Sequence, residues 1–521
     1  LASGFLEAMM GARRPGARAD EHAVLEVAPP APPRIRLAMT ARLFHRMLRL
    51  ESDTARFQRR LATVLARHRV VAARGQAGGP RAPSAAAARG ASPAPAAALA
   101  EFDALCREAL RDWQTPIVND LFLMFAHGAL RRTASAWLGS DSPALVNGLL
   151  AGGGISARPG QELVGIGAAI RARADWSAVV RRTPPEELLE RLAGDPALAP
   201  LKARIDAYLE TWADRAPREL QLERRTFRED PTALLAALRT LAIEPGAGGS
   251  ERATADIATT ARREVARRLR GQALAGRPAG AVRLAVFTVL LRLTRRGIRR
   301  REEMRLLRGQ VFGVGRRIFR DLGASLTASG MLAEAGDVHY LELSELREIA
   351  LGAWSVGEAR SVVGARRARY AAYAAGPRLP NRLETRGPAA DPLQIVPPAT
   401  APPDVPAGGA ARTWRGIGAA VGRARGECLV VLEPTVAPPT AGRIIAARST
   451  DPGWVPILVG AAGLAVEQGS LLSHSAIVAR ELGIPTVVGL PGLLDDVRDG
   501  DVLEVDGSSG EVRLQQRVTA A

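Results

Sequence analysis

The stretch Gly469-Ser470-Leu471-Leu472-Ser473-His474-Ser475-Ala476-Ile477-Val478-Ala479-Arg480 runs from a glycine-bearing turn into an apolar helix, with a histidine at its entrance. The spacing predicts a helix over 475–482 that stops at Gly483, with Pro485 beyond it. The first turn of a helix carries backbone N–H groups without internal partners, and the helix dipole is positive there. A phosphoryl group carried on His474 would meet those donors. The imidazole is a neutral nucleophile near pH 7, which suits a group that accepts and then releases phosphate. Gly469, Ser473, Ser475 and Arg480 are the candidate neighbours of that phosphate, the two serines through their hydroxyls. Arg480 is less favourably placed, because six residues carry it ~240° around the helix from His474. On spacing alone, the same pattern also describes a capped helix with an incidental exposed histidine.

Around this segment, residues 412–521 read as a small α/β domain. Short apolar runs at 428–432, 457–459, 486–489 and 502–505, bounded by Gly, Pro or Asp, predict strands. Gly507-Ser508-Ser509-Gly510 reads as a turn. The preceding 376–411 is dense in proline, with Pro380, Pro388, Pro392, Pro397 and Pro398 among others. It is expected to be a linker, with an r.m.s. span of roughly 30–35 Å if flexible.

Residues 99–375 predict a helical body. Ala, Leu, Arg and Glu dominate, and 100–113, 116–138, 185–211, 231–242, 253–274 and 279–330 show amphipathic spacing. Asp230-Pro231-Thr232 reads as a helix start. The arginine-dense run 295–320 reads as a solvated helical face, partly compensated by Glu302 and Glu303, with a phosphate or nucleic-acid grip as the alternative. Residues 1–98 carry a helical segment over 34–65 and then, at 75–98, an Ala/Gly/Pro/Ser stretch expected to be a flexible linker. The fold class is thus multidomain: a mostly α-helical body followed by a small C-terminal α/β domain.

Composition narrows the function. Of 521 residues, 47% are hydrophobic, enough for packed cores, so disorder throughout is excluded. No run approaches the ~18 apolar residues of a membrane span, and a cytoplasmic protein is expected. Cys106 and Cys428 alone cannot make a cysteine-based zinc site or a disulfide framework. The net charge of +18 is uneven: from Thr413 onward nine Arg face twelve Asp and Glu, so the excess lies in the body. An aromatic content of 4% is poor for base stacking, so nucleic acid is not the expected partner.

The segment from Gly469 through Glu481-Leu482-Gly483-Ile484-Pro485-Thr486-Val487-Val488-Gly489, Asp499-Gly500-Asp501 and Val505-Asp506-Gly507 closely resembles the swivelling phosphohistidine domain of the phosphoenolpyruvate-utilising enzymes. Thr450-Asp451-Pro452-Gly453-Trp454 is similar to the same domain. The pattern departs at Ser470, where a small residue such as Gly is usual, and at Leu472, where Thr is frequent. The resemblance extends more weakly to the preceding helices, through Asp214-Arg215, Glu219-Leu220 and Glu229-Asp230-Pro231, and through 301–341. That layout is of the phosphoenolpyruvate-synthase-like and rifampicin-phosphotransferase-like kind. The residues themselves read Arg215 and Glu219 as a buried ion pair between helices, and His339 as a core residue.

The resemblance implies that His474 is the catalytic residue, phosphorylated from a nucleotide-derived donor and passing the group to a small-molecule acceptor, pyruvate or an antibiotic-like hydroxyl. It implies ATP and Mg²⁺ for the full reaction. No glycine-rich phosphate loop or Mg²⁺ carboxylate set is legible in this sequence, so a nucleotide-binding domain is expected upstream of Leu1 or on a partner chain. A non-catalytic scaffold of the same family is the first alternative, and a basic nucleic-acid-binding protein the second.

Overall fold

The computed structural model describes residues 33–75, 95–111, 113–139, 142–151, 155–216, 218–243, 251–271, 279–376, 412–433 and 440–518. The expected linker at 376–411 lies, from 377 on, outside the described residues, as does 76–94 of the expected linker at 75–98. Residues 95–98 of the latter instead open the helix Pro95–Ala109.

The body is helical. Its spine is the 50-residue helix Ala279–Ala328, packed against Gln114–Leu138, Pro95–Ala109 and Pro33–Gly75. Phe57, Leu61, Leu105, Ile318 and Leu322 form one core there. Asp230 Oδ1 accepts from the Thr232 N–H at 3.2 Å and opens Thr232–Ile243, as the Asp-Pro-Thr signal predicts. Ser142–Leu149, Arg158–Arg171 and Ala174–Arg182 were not legible as helices. The second carries Gly160, Gly165 and Gly167, which lower helix propensity. Tertiary packing overrides that: a Cβ at Gly167 would come within 2.7 Å of Leu241.

Thr413–Gln516 builds an eight-stranded sheet in the order β1-β8-β7-β3-β4-β5-β6-β2, with β1 at Thr413–Arg415, β2 at Ile417–Ala420, β3 at Arg423–Val431, β4 at Ile444–Ala447, β5 at Gly463–Val466, β6 at Thr486–Val488, β7 at Val502–Asp506 and β8 at Glu511–Gln516. The central four, β3 to β6, are parallel. Because β1 and β2 are separated only by Gly416 yet pair with opposite edges, one segment staples the sheet's two ends. A Cβ at Gly416 would sit 2.5 Å from the Val488 carbonyl oxygen, so only glycine passes there.

Two expectations are corrected. Residues 457–459 are not a strand: Ile457 lies in the short helix Val455–Leu458, which follows the turn Pro452–Trp454 capped by the Asp451 carboxylate on the Gly453 N–H at 2.8 Å. That cap and the proline in the helix's first turn favour helix over the apolar run's strand reading. His339 is exposed, with its ring 6.2 Å from Phe319, and not a core residue.

The two parts share an apolar core. Leu163, Ile166, Leu234 and Leu238 of the body cluster with Val455, Leu458, Val459 and Leu482 of the C-terminal domain. Polar ties flank this seam. The Arg218 N–H donates to Asp451 Oδ2 at 2.6 Å, Asn147 donates to the Gly418 carbonyl at 2.7 Å, and Arg218 pairs with Glu433 at 2.7 Å.

Candidate functional site

His474 opens the helix His474–Leu482, with Ser473 as N-cap and Gly483 ending it in the left-handed conformation at φ 68°. Start and stop thus follow the sequence signals to within one residue. The histidine is not an exposed cap: it is 4% exposed, pressed against the body. Its Nδ1 lies 3.3 Å from Oε2 of Glu302 on the long body helix, and that carboxylate oxygen also accepts from the Ser156 hydroxyl. Nε2 is buried without a protein partner. An Nδ1–H donated to Glu302 leaves the lone pair on Nε2, which is the nucleophilic position. Burial, partly offset by the Glu302 hydrogen bond, pushes the imidazole down to about 4, so it is neutral at pH 7. Burial raises the Glu302 carboxyl, but His474 and Arg305 outweigh it and hold the group below the usual carboxylate range.

The other predicted neighbours are placed around this histidine with supporting roles. Ser473 Oγ accepts from the Ala476 N–H at 3.4 Å, and Ser475 Oγ bonds Thr450 Oγ1 at 2.8 Å. Gly469 passes close to Val488, where a Cβ would come within 3.1 Å. Arg480 is buried and makes its hydrogen bonds to backbone of its own domain. It donates to the carbonyls of Ala419 and Leu471, both at 3.1 Å, and so holds the turn that delivers His474.

The cations near the histidine come from the body. The run 295–320 is not simply a solvated face. Arg301 donates to the Leu472 carbonyl, within the histidine's own turn, and reaches Asp120 at 3.3 Å. Arg305 stands 3.9 Å from Glu302 Oε1. Arg301, Arg305 and Arg308 line a cavity of about 220 Å³ with Trp113, Pro116, Asp120 and Met304. Spacings of four and three residues put these arginines on one helical face, a signal present in the sequence but masked by the surrounding arginine excess. Glu302 and Ser156 were not singled out as site residues, because their relation to His474 is purely tertiary.

Arg215 and Glu219 are buried, at 6% and 3% exposure, yet they do not make the expected simple ion pair. Arg215 Nε and Nη1 and both Glu219 carboxylate oxygens lack hydrogen-bond partners. Glu219 Oε2 is 3.8 Å from Arg308. A second cavity, of about 490 Å³, is lined by Met124, His127, Arg131, Ser135 and Val146 and reaches Leu472 in the turn before His474. Burial pushes His127 down to about 4.

Among the described residues, no cluster of three or more His, Cys, Asp or Glu is arranged to hold a metal ion. The groups around His474 do not fit Mg²⁺, because arginines predominate where metal ligands would stand. Among the described residues no helix is long and apolar enough to cross a membrane.

Comparison with known proteins finds two family matches. Residues 439–510 match the family model "PEP-utilising enzyme, mobile domain", and 117–302 match "Rifampicin phosphotransferase fourth domain". A rifampicin phosphotransferase of Streptomyces sp is 30% identical over 381 residues, covering 73% of this chain and 42% of that protein. The prodigiosin synthesizing transferase PigC of Serratia marcescens is 29% identical over 349 residues, 65% of this chain and 36% of that one. A phosphoenolpyruvate synthase of Aeropyrum pernix is 40% identical over 100 residues, 19% of this chain and 12% of that protein. The chain spans about two fifths of the length of the rifampicin phosphotransferases it matches. Over 439–510 the chain carries a mobile domain of the phosphoenolpyruvate-utilising enzymes, and over 117–302 it is similar to the helical fourth domain of the rifampicin phosphotransferases.

Proposed function

We propose that the chain is the acceptor-side part of a phosphotransferase in which His474 carries the phosphoryl group. The observation that carries this reading is the asymmetric imidazole: Nδ1 is held by Glu302, while Nε2 is buried and unpartnered, and the ring is within electrostatic reach of Arg305 and Arg215. Charging takes place at a nucleotide-binding domain, with ATP and Mg²⁺, on a partner chain or another part of the protein. Transfer takes place in the docked arrangement seen here. The phosphorus–Nε2 bond breaks with its electron pair returning to Nε2, and a bond forms from phosphorus to an acceptor hydroxyl oxygen, which loses its proton. Arg305 and Arg301 offset the charge on the phosphoryl oxygens. The names of the rifampicin phosphotransferase relatives favour an antibiotic-like hydroxyl over pyruvate as acceptor.

The test is to treat the chain with phosphoramidate, a small phosphorus–nitrogen donor that phosphorylates histidine, and to map acid-labile phosphate. Label on His474 that is lost in His474→Ala supports the reading. Label confined to other histidines overturns it. Absence of label from the wild-type chain, with His474 exposed by undocking, favours the scaffold alternative.

A further inference from the structure

The loop that joins the body helices Ala199–Trp212 and Thr232–Ile243 holds two buried ionisable side chains with polar atoms that make no hydrogen bond. Folding does not leave such groups idle at no cost. An unsatisfied buried donor or acceptor costs roughly 1–3 kcal/mol, and more when charged. Arg215 presents Nε and Nη1, and Glu219 presents both oxygens. The backbone between them is strained: Arg218 is the one non-glycine residue with positive φ, 56°, among the described residues. Its N–H is the group tied to Asp451 of the mobile domain. The loop is therefore held in shape by the same docking that brings His474 to the body. Arg215 is electrostatically coupled to His474 and to Glu302, and Glu219 borders Arg308 of the 220 Å³ cavity. The pair thus lies within electrostatic reach of the histidine and, through Arg308, beside the arginine-lined cavity.

Resting on the phosphohistidine reading above, we propose that Arg215 binds the phosphoryl oxygens as the group leaves His474, and that Glu219 takes the proton from the acceptor hydroxyl. The balance is complete. The phosphorus–Nε2 pair returns to the imidazole, the acceptor oxygen bonds phosphorus, and the hydroxyl proton ends on the Glu219 carboxylate. Burial holds that carboxyl above its usual range, against the pull of Arg215 and Arg308, which suits a proton acceptor in a dry site. The acceptor class is a neutral alcohol or phenol, since the site supplies its own base. A Cβ at Gly309 would lie 2.2 Å from Glu219 Oε1, so the glycine leaves the room that the carboxylate occupies.

Arg215 lies 5.4 Å from the centroid of the Trp212 ring, which supplies a readout independent of turnover. Inorganic phosphate, titrated into the full chain, is expected to change tryptophan fluorescence. Trp212→Phe should remove that signal while leaving phosphate binding measurable by calorimetry. Arg215→Met should weaken phosphate binding at least tenfold. Arg215→Lys, which keeps the charge without the fork, should fall between and guards against a folding artefact. In a second arm, His474 is charged with phosphoramidate and discharged to glycerol. Glu219→Gln should slow discharge at least tenfold with unchanged phosphate affinity. Equal phosphate affinity in wild type and Arg215→Met, or discharge of Glu219→Gln at the wild-type rate, overturns the proposal. Arg215-dependent phosphate binding without any phosphohistidine overturns the histidine reading instead, together with the role given to Glu219, and leaves the anion site standing.

Discussion

Glu302 of the body and His474 of the mobile domain meet at 3.3 Å, both almost fully out of water, across 172 residues of sequence. In the proposed reaction one domain supplies the nucleophile, and the other fixes which of its nitrogens is free. Replacing Glu302 with Gln keeps the shape but removes the charged acceptor. Discharge of phosphohistidine should fall by about 10–100-fold, the usual cost of losing a group that orients an imidazole. Single-turnover kinetics on the charged chain would check this; an unchanged rate would remove Glu302 from the mechanism.

Docking should be pH-dependent. Docked, His474 is depressed to about 4; undocked, it returns towards the ordinary value of about 6.5. The free state therefore binds more protons between these values. The contribution to docking is fully present above about 6.5 and is lost as pH falls towards 4, amounting to ~3 kcal/mol at most. Small-angle scattering from pH 7.5 to 4.5 should show the chain extending on acidification. His474→Gln should flatten part of that profile; an identical profile would assign the effect to other groups, His127 first.

A wedge at the seam should separate the domains by opening the apolar core they share, while the secondary structure of each is kept. Gly160 of the body faces Leu482, Val459 and Val455, and a Cβ there would lie 3.0–3.3 Å from them. Gly160→Trp is expected to undock the mobile domain and expose His474 to diethyl pyrocarbonate, while far-ultraviolet dichroism stays constant. Protection of His474 equal to wild type would show that the seam tolerates the bulk.

Gly483→Ala should destabilise the mobile domain by about 1–2 kcal/mol, because φ of 68° is left-handed backbone that a Cβ penalises. The measure is the denaturant midpoint of the isolated 412–521 segment, provided limited proteolysis within 377–411 releases that segment as a stable fragment. That release is itself expected from the proline-rich composition of the stretch.

The mobile domain was largely legible because its signals are local. Ser473, His474, Gly483 and Pro485 mark a helix by chemistry that acts within a few residues. The long body helices were legible through their amphipathic period. What escaped depends on distant partners: Arg158–Arg171, whose Gly160 and Gly167 are explained by Leu482 and Leu241 and not by propensity; the short helix at Val455, whose apolar run suits a strand equally; and Glu302, one acid within an arginine run, which gains its meaning only from a histidine in another domain. The arginine run divides for the same reason: Arg296, Arg299 and Arg320 are exposed as a solvated face predicts, whereas Arg301, Arg305 and Arg316 turn inward, and both placements suit the same sequence.

The shared apolar seam sets a clock. In the proposed cycle the mobile domain departs to be charged, and surface that is dry at rest then becomes wet. Uncovering even about 200 Å² of it costs on the order of 5 kcal/mol. At that cost the parked arrangement holds all but about one molecule in several thousand, so the charging station meets a rare visitor. Turnover is then paced by dwell time, and residues at the seam, far from any phosphate, become the ones that tune it.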